Sequence, residues 1–168
     1  MQYRWLLPFF SCFILLLGVS SPSHANSNHN IYMMTLSILS YAKLNQAVPE
    51  ICVVDNTDIT TSFQNTIQKQ NMKYKVSAIE TTALNSSACT VIFFSHTQPQ
   101  LEQKLISQAL TKNALTFSTS NSDCEIGSVF CLYTTRAGNT QFKVNLDSLA
   151  KTKIHIDPRV LLLAQNME

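Results

Sequence analysis

Glycine is scarce in this chain: three residues in 168, at Gly18, Gly127 and Gly138. Loops that cradle phosphate need glycine where the backbone must close on the anion, so a nucleotide-binding enzyme is not expected. Charge is sparse too. Only 13% of residues are charged, with 12 Lys and Arg against 10 Asp and Glu. That near-balance, with no block of like charge, argues against the concentrated basic face of a nucleic-acid binder. Internal repeats and low-complexity tails are lacking. Histidine occurs only at His24, His29, His96 and His155, and no serine sits in a nucleophile-elbow pattern. A hydrolase needs a nucleophile, a base and an orienting acid within mutual reach, and no such set is legible. The cysteine spacings do not resemble the C-x-x-C knuckles of structural zinc. Neither catalysis nor a cofactor or metal is expected.

What is present begins with residues 1–25, which read as a secretory signal. Arg4 supplies the positive start, and Leu6–Gly18 is apolar except for Pro8 and Ser11. Ser23-His24-Ala25 supplies the small-x-small cleavage pattern. The apolar run is short of the roughly 20 residues that span a bilayer. An uncleaved anchor is the alternative, and either way the domain of residues 26–168 leaves the cytosol for the periplasm. An oxidising compartment permits disulfides.

Along that domain, Ile31, Met34, Ile38, Tyr41 and Ala42 recur at spacings of three and four, predicting a helix over residues 31–44. Glu50–Asp55 is a short apolar run of the kind buried on both faces of a parallel sheet. Ile59, Phe63 and Ile67 predict a helix from about Asp58 to Gln70. Tyr74, Val76 and Ala78 alternate as a strand, and Cys89–Phe94 reads as another. Thr97 and Pro99 open a helix whose expected buried stripe is Leu101, Leu105, Ala109 and Leu110. Ala114–Ser118 is a further strand. Val129–Thr135 and Thr140–Asn145 flank Arg136-Ala137-Gly138-Asn139, a hairpin signal. A short helix near Asp147–Ala150 and a last one opening at Asp157-Pro158 complete the pattern. The fold class is α/β: a single domain with a mostly parallel open sheet, flanking helices and a C-terminal antiparallel hairpin.

Four cysteines lie beyond the export segment: Cys52, Cys89, Cys124 and Cys131. They allow three pairings. In a doubly wound order the strands of Cys52 and Cys89 are neighbours, about 4.8 Å apart. Cys124 and Cys131 are close in sequence. The favoured pairs are therefore Cys52–Cys89 and Cys124–Cys131, both as staples. A redox-sensing role for the shorter bridge is the alternative.

Ligands of open α/β sheets bind beyond the carboxyl ends of the strands, at the switch point. Asp55, Asp58 and His96 fall in those loops and could line a polar pocket. The plainer reading is favoured: Asp58 and Thr97 cap helices, and His96 is exposed. The first helix is apolar over more than one stripe. Met33, Met34, Leu36 and Leu39 are therefore candidates for a contact with another subunit or partner, as methionine suits adaptable surfaces.

The segments Ile51-Cys52-Val53-Val54-Asp55, Cys89-Thr90-Val91-Ile92-Phe93-Phe94, Cys124-x6-Cys131, Phe142-Lys143-Val144-Asn145-Leu146 and Arg159-Val160-Leu161-Leu162-Leu163-Ala164 follow in order. In this order the chain resembles the YfiR family of bacterial periplasmic proteins, from about residue 31 to 165. The resemblance implies an exported regulator without enzymatic activity. It implies repression of a membrane-bound diguanylate cyclase through that cyclase's periplasmic domain. It also implies sequestration by an outer-membrane-associated partner, and self-association as a homodimer. By resemblance the four cysteines match the family's disulfide positions. The chain departs from the pattern in lacking a Trp-Pro after the first helix and in reducing a glycine pair to Ile126-Gly127-Ser128. A small-molecule binding module remains the rival reading, with a thiol-redox sensor behind it.

Overall fold

The computed structural model describes residues 30–108 and 114–165. The expected export segment, and Ala109 and Leu110 of the expected helix stripe, lie outside the described residues. The elements run α1 (Ile31–Leu39), β1 (Ala42–Lys43), β2 (Glu50–Val54), α2 (Thr57–Lys69) and β3 (Lys75–Ile79). A 3₁₀ turn at Thr81–Ser86 leads to β4 (Val91–Phe94), α3 (Pro99–Gln108) and β5 (Leu115–Ser118). Then come β6 (Phe130–Thr134), β7 (Thr140–Val144), α4 (Leu146–Lys151) and β8 (His155–Ile156). A 3₁₀ turn at Pro158–Leu161 runs into α5 (Leu162–Gln165).

The main sheet has six strands in the order β3-β2-β4-β5-β6-β7. All neighbours are parallel except β6 and β7, which form the antiparallel hairpin at the edge. The apolar runs decide this order. β4 and β5 are buried at every position and β2 at all but Glu50, which only interior strands covered on both faces achieve.

The two faces are unequal. One carries the larger apolar cluster, in which Ile51, Val53, Phe93, Phe117 and Phe130 of the sheet meet α1, Phe63 and Ile67 of α2, and Val160. Phe63 sits edge-on between Tyr32 and Phe93, with ring centroids 4.9 and 5.0 Å away. The opposite face buries a cluster of only six apolar residues, among them Val54, Ile92, Phe94 and Leu105 of α3. Burial stabilises by about 25 cal/mol per Å² of apolar surface, so this thinner face gains less from packing.

Two expectations are corrected. The first helix ends at Leu39, not residue 44. Ser40 turns the chain, its hydroxyl donating to the Ser37 carbonyl at 2.6 Å. Ala42 and Lys43 then pair antiparallel with Ile156 and His155, and the Asp157 N–H donates to the Tyr41 carbonyl. A long-range pairing thus overrides the helical period. On α3, Leu101 is 43% exposed, whereas Glu102 is fully buried.

Candidate functional site

The switch point lies between β2 and β4, where the chain departs in opposite directions. Asp55 follows β2 with φ of 50°, a left-handed conformation that Asp tolerates better than most residues. Asn56 then caps α2, its Oδ1 accepting the Ile59 N–H at 3.0 Å. The cap is therefore Asn56 rather than the expected Asp58. Asp58 sits exposed in the first turn of α2, where a negative charge complements the helix dipole.

Of the three residues that were candidates for a polar pocket, only His96 joins a cluster here. Asn56 Nδ2 donates to Ser95 Oγ at 3.1 Å and lies 3.2 Å from His96 Nδ1. Ser95 Oγ is 3.4 Å from the same ring nitrogen. Asp55 turns away, its carboxylate accepting both the N–H and the hydroxyl of Thr81. The imidazole thus has no carboxylate from Asp55 to orient it, and the Ser95–His96 pair does not extend to a triad through that residue. Thr119 donates to the Ser95 carbonyl and Ser120 to that of Thr97. These bonds brace the loops at the carboxyl ends of β2, β4 and β5 against one another.

Further along the same rim is a group the sequence reading missed. Glu102, in the first turn of α3, points between β5 and the loop that follows it. Its carboxylate accepts from Ser118 Oγ at 2.5 Å, from Ser128 Oγ at 2.9 Å and from the Ser128 N–H at 3.3 Å. Burial pushes its pKa above the usual carboxylate range, and the hydrogen bonds from Ser118, Ser128 and Asn121 offset only part of that rise. The signal for it was indirect: Thr116 and Ser118 alternate with apolar residues along β5, and a hydroxyl that becomes buried needs a partner.

The cysteines form Cys52–Cys89 and Cys124–Cys131, each with Cα atoms 5.7 Å apart. The first ties β2 to the segment leading into β4, as neighbouring strands allow. The second closes the loop between β5 and β6.

The first helix turns most of its candidate contact residues into the core. Met34, Leu36 and Leu39 are each 1% exposed and belong to the large cluster; Met33 is half-buried. Packing against α2 and the sheet consumes the apolar surface that looked surplus in the sequence.

Two cavities open at the other, amino-terminal end of the strands. One, of about 450 Å³, has Leu36, Leu39, Leu44, Met72 and Tyr74 in its lining. The other, of about 470 Å³, lies beside Cys89, Thr90 and Lys153. The segment around Leu44 and Gln46 borders both. Neither contains the three residues singled out at the switch point.

Among the described residues no helix is long and apolar enough to cross a membrane, and no group of three or more His, Cys, Asp or Glu is placed to hold a metal ion. A family model described as YfiR/HmsC-like matches residues 32–165. That stretch runs from α1 to the end of α5, and so takes in both sheets and both disulfides. The chain belongs to the YfiR/HmsC-like family.

Proposed function

We propose that this protein is an exported repressor that binds the periplasmic domain of an inner-membrane diguanylate cyclase and holds its cytoplasmic catalytic domain inactive. The family match over residues 32–165 carries this reading. Membership supports periplasmic regulation of cyclic di-GMP signalling at the level of the family; direct repression of a cyclase is the step taken here. A binding protein acts on such an enzyme by its unequal affinity for the active and inactive states. Residues 1–25, cleaved after Ala25, would carry the domain out of the cytosol, and two disulfides suit an oxidising compartment. An outer-membrane-associated protein that sequesters the repressor would restore synthesis, and the repressor itself would act as a homodimer.

The test is cellular cyclic di-GMP in a strain lacking the protein. The level is expected to rise, and to fall again when the full chain is restored. An unchanged level in a strain that normally produces the protein overturns the proposal.

A further inference from the structure

Glu102 holds a loop as well as occupying a core position. The loop from Ser120 to Val129 is moored mainly by side chains. Asn121 Nδ2 donates to the Ile126 carbonyl at 2.6 Å, and its Oδ1 accepts the Cys124 N–H at 3.1 Å. Gln103 Oε1 accepts the Gly127 N–H at 2.9 Å, and Ser148 Oγ donates to the Gly127 carbonyl at 2.8 Å. Lys143 Nζ donates to the Ser122 carbonyl at 2.8 Å. Glu102 adds the two bonds to Ser128 and, through Ser118, ties the loop to β5. Of these moorings it is the one that is both fully buried and ionisable. The backbone presses close: a Cβ on Gly127 would stand 2.9 Å from Glu102 Oε2.

We infer that the Cys124–Cys131 loop is a proton-operated latch, which protonated Glu102 holds shut and ionised Glu102 releases. The groups facing the carboxylate are Ser118 of β5 and Asn121, Gly127 and Ser128 of the loop, none of them titratable. The loop's own ionisable side chains, Asp123 and Glu125, are exposed. Lys143 of β7 grips the loop through Ser122, and Asp147 of α4 is exposed. Among the described residues no cation pairs with Glu102. A buried carboxylate without a counter-charge favours its neutral form.

The sign follows from linkage. The closed loop raises the carboxyl's pKa, so the closed form binds the proton more tightly than the open, hydrated form. Closure is therefore favoured below the open-form pKa, and that advantage is lost as pH rises through the closed-form pKa. Each unit of separation between the two is a tenfold change in the closing equilibrium. The loop presents Asp123, Glu125 and the 39% exposed Ile126 on its outer side, so release displaces that surface.

The test is amide exchange of Cys124, Gly127 and Ser128 in the disulfide-intact protein, from about pH 5 to pH 8, corrected for base catalysis. Protection in the wild type is expected to fall as pH rises, while Glu102→Gln keeps it flat. Equal slopes in the two proteins, or wild-type protection that grows with pH, overturn the latch. Should the variant not fold, the wild-type carboxyl carbon of Glu102 decides by NMR titration. A late titration that moves the Gly127 and Ser128 amides with it supports the latch. Titration in the ordinary glutamate range, or without those amides, overturns it.

Discussion

Gly127 and Gly138 share a backbone conformation, with φ of 85° and 86°, yet differ in surroundings. A Cβ at Gly138 would meet nothing within 4 Å, whereas at Gly127 it would crowd both the carboxylate and the Cβ of Glu102. Alanine at Gly138 bears only the left-handed strain, about 1 kcal/mol. At Gly127 an overpacking term joins that strain, for a total of about 3 kcal/mol. Denaturant melts of the two single variants should preserve that order, and equal losses would show that the Glu102 contact yields freely. At this scale the sequence was least informative. Both Asn56 and Asp58 are competent caps, and only the observed turn at Asp55 selects Asn56. The stripe Leu101–Leu105 fits a helical period well, but the hydroxyls of Ser118 and Ser128 draw Glu102 inward. No periodicity records a partner that lies 16 or 26 residues away.

Among the elements, those shaped by local pattern were legible. β2 beyond Glu50 and β4 are continuous apolar runs, β5 alternates Leu115 and Phe117 with Thr116 and Ser118, α2 repeats every four residues, and the β6–β7 hairpin announces itself through Gly138. β1 was not, because it has two residues and exists only through its pairing with β8. The same scale explains why the bridges stand where they do. Cys52 and Cys131 alternate with Ile51, Val53, Phe130 and Leu132, which face the large cluster, so both bridges lie on the thinner face. There the chain is braced covalently where apolar burial is least. Cys52–Cys89 spans 37 residues and Cys124–Cys131 spans 7. By loop-closure entropy the former contributes about 4 kcal/mol and the latter about 2 kcal/mol. Replacing each pair by serine should lower the denaturant midpoint in that ratio. A larger loss from the shorter bridge would mean that it holds native structure beyond its own loop.

Across the whole molecule, the last fifteen residues complete what the first fifteen of the described chain begin. β8 pairs with β1, and Val160, 3% exposed, joins α1 in the large cluster. A chain ending at Lys153 forfeits the pairing and about 2 kcal/mol from the valine alone. Its thermal midpoint should drop well below that of a Leu161→Ser, Leu162→Ser control. Those two side chains are 52% and 50% exposed, so the control should stay within about 0.5 kcal/mol of wild type. A truncated chain as stable as the control would mean that the small sheet is dispensable.

The meeting of β1 with β8 also sets a schedule. A polypeptide emerges from its N-terminus, so α1 can settle on α2 and the sheet early, but the edge of the large cluster that Val160 closes stays open until residues 155–160 arrive. Contacts between such distant segments form slowly, because a long loop must close before they reward it. Through that interval the open edge of the cluster is a natural client for a holding chaperone. The final closure, rather than any early turn, then governs how long the newborn chain remains vulnerable.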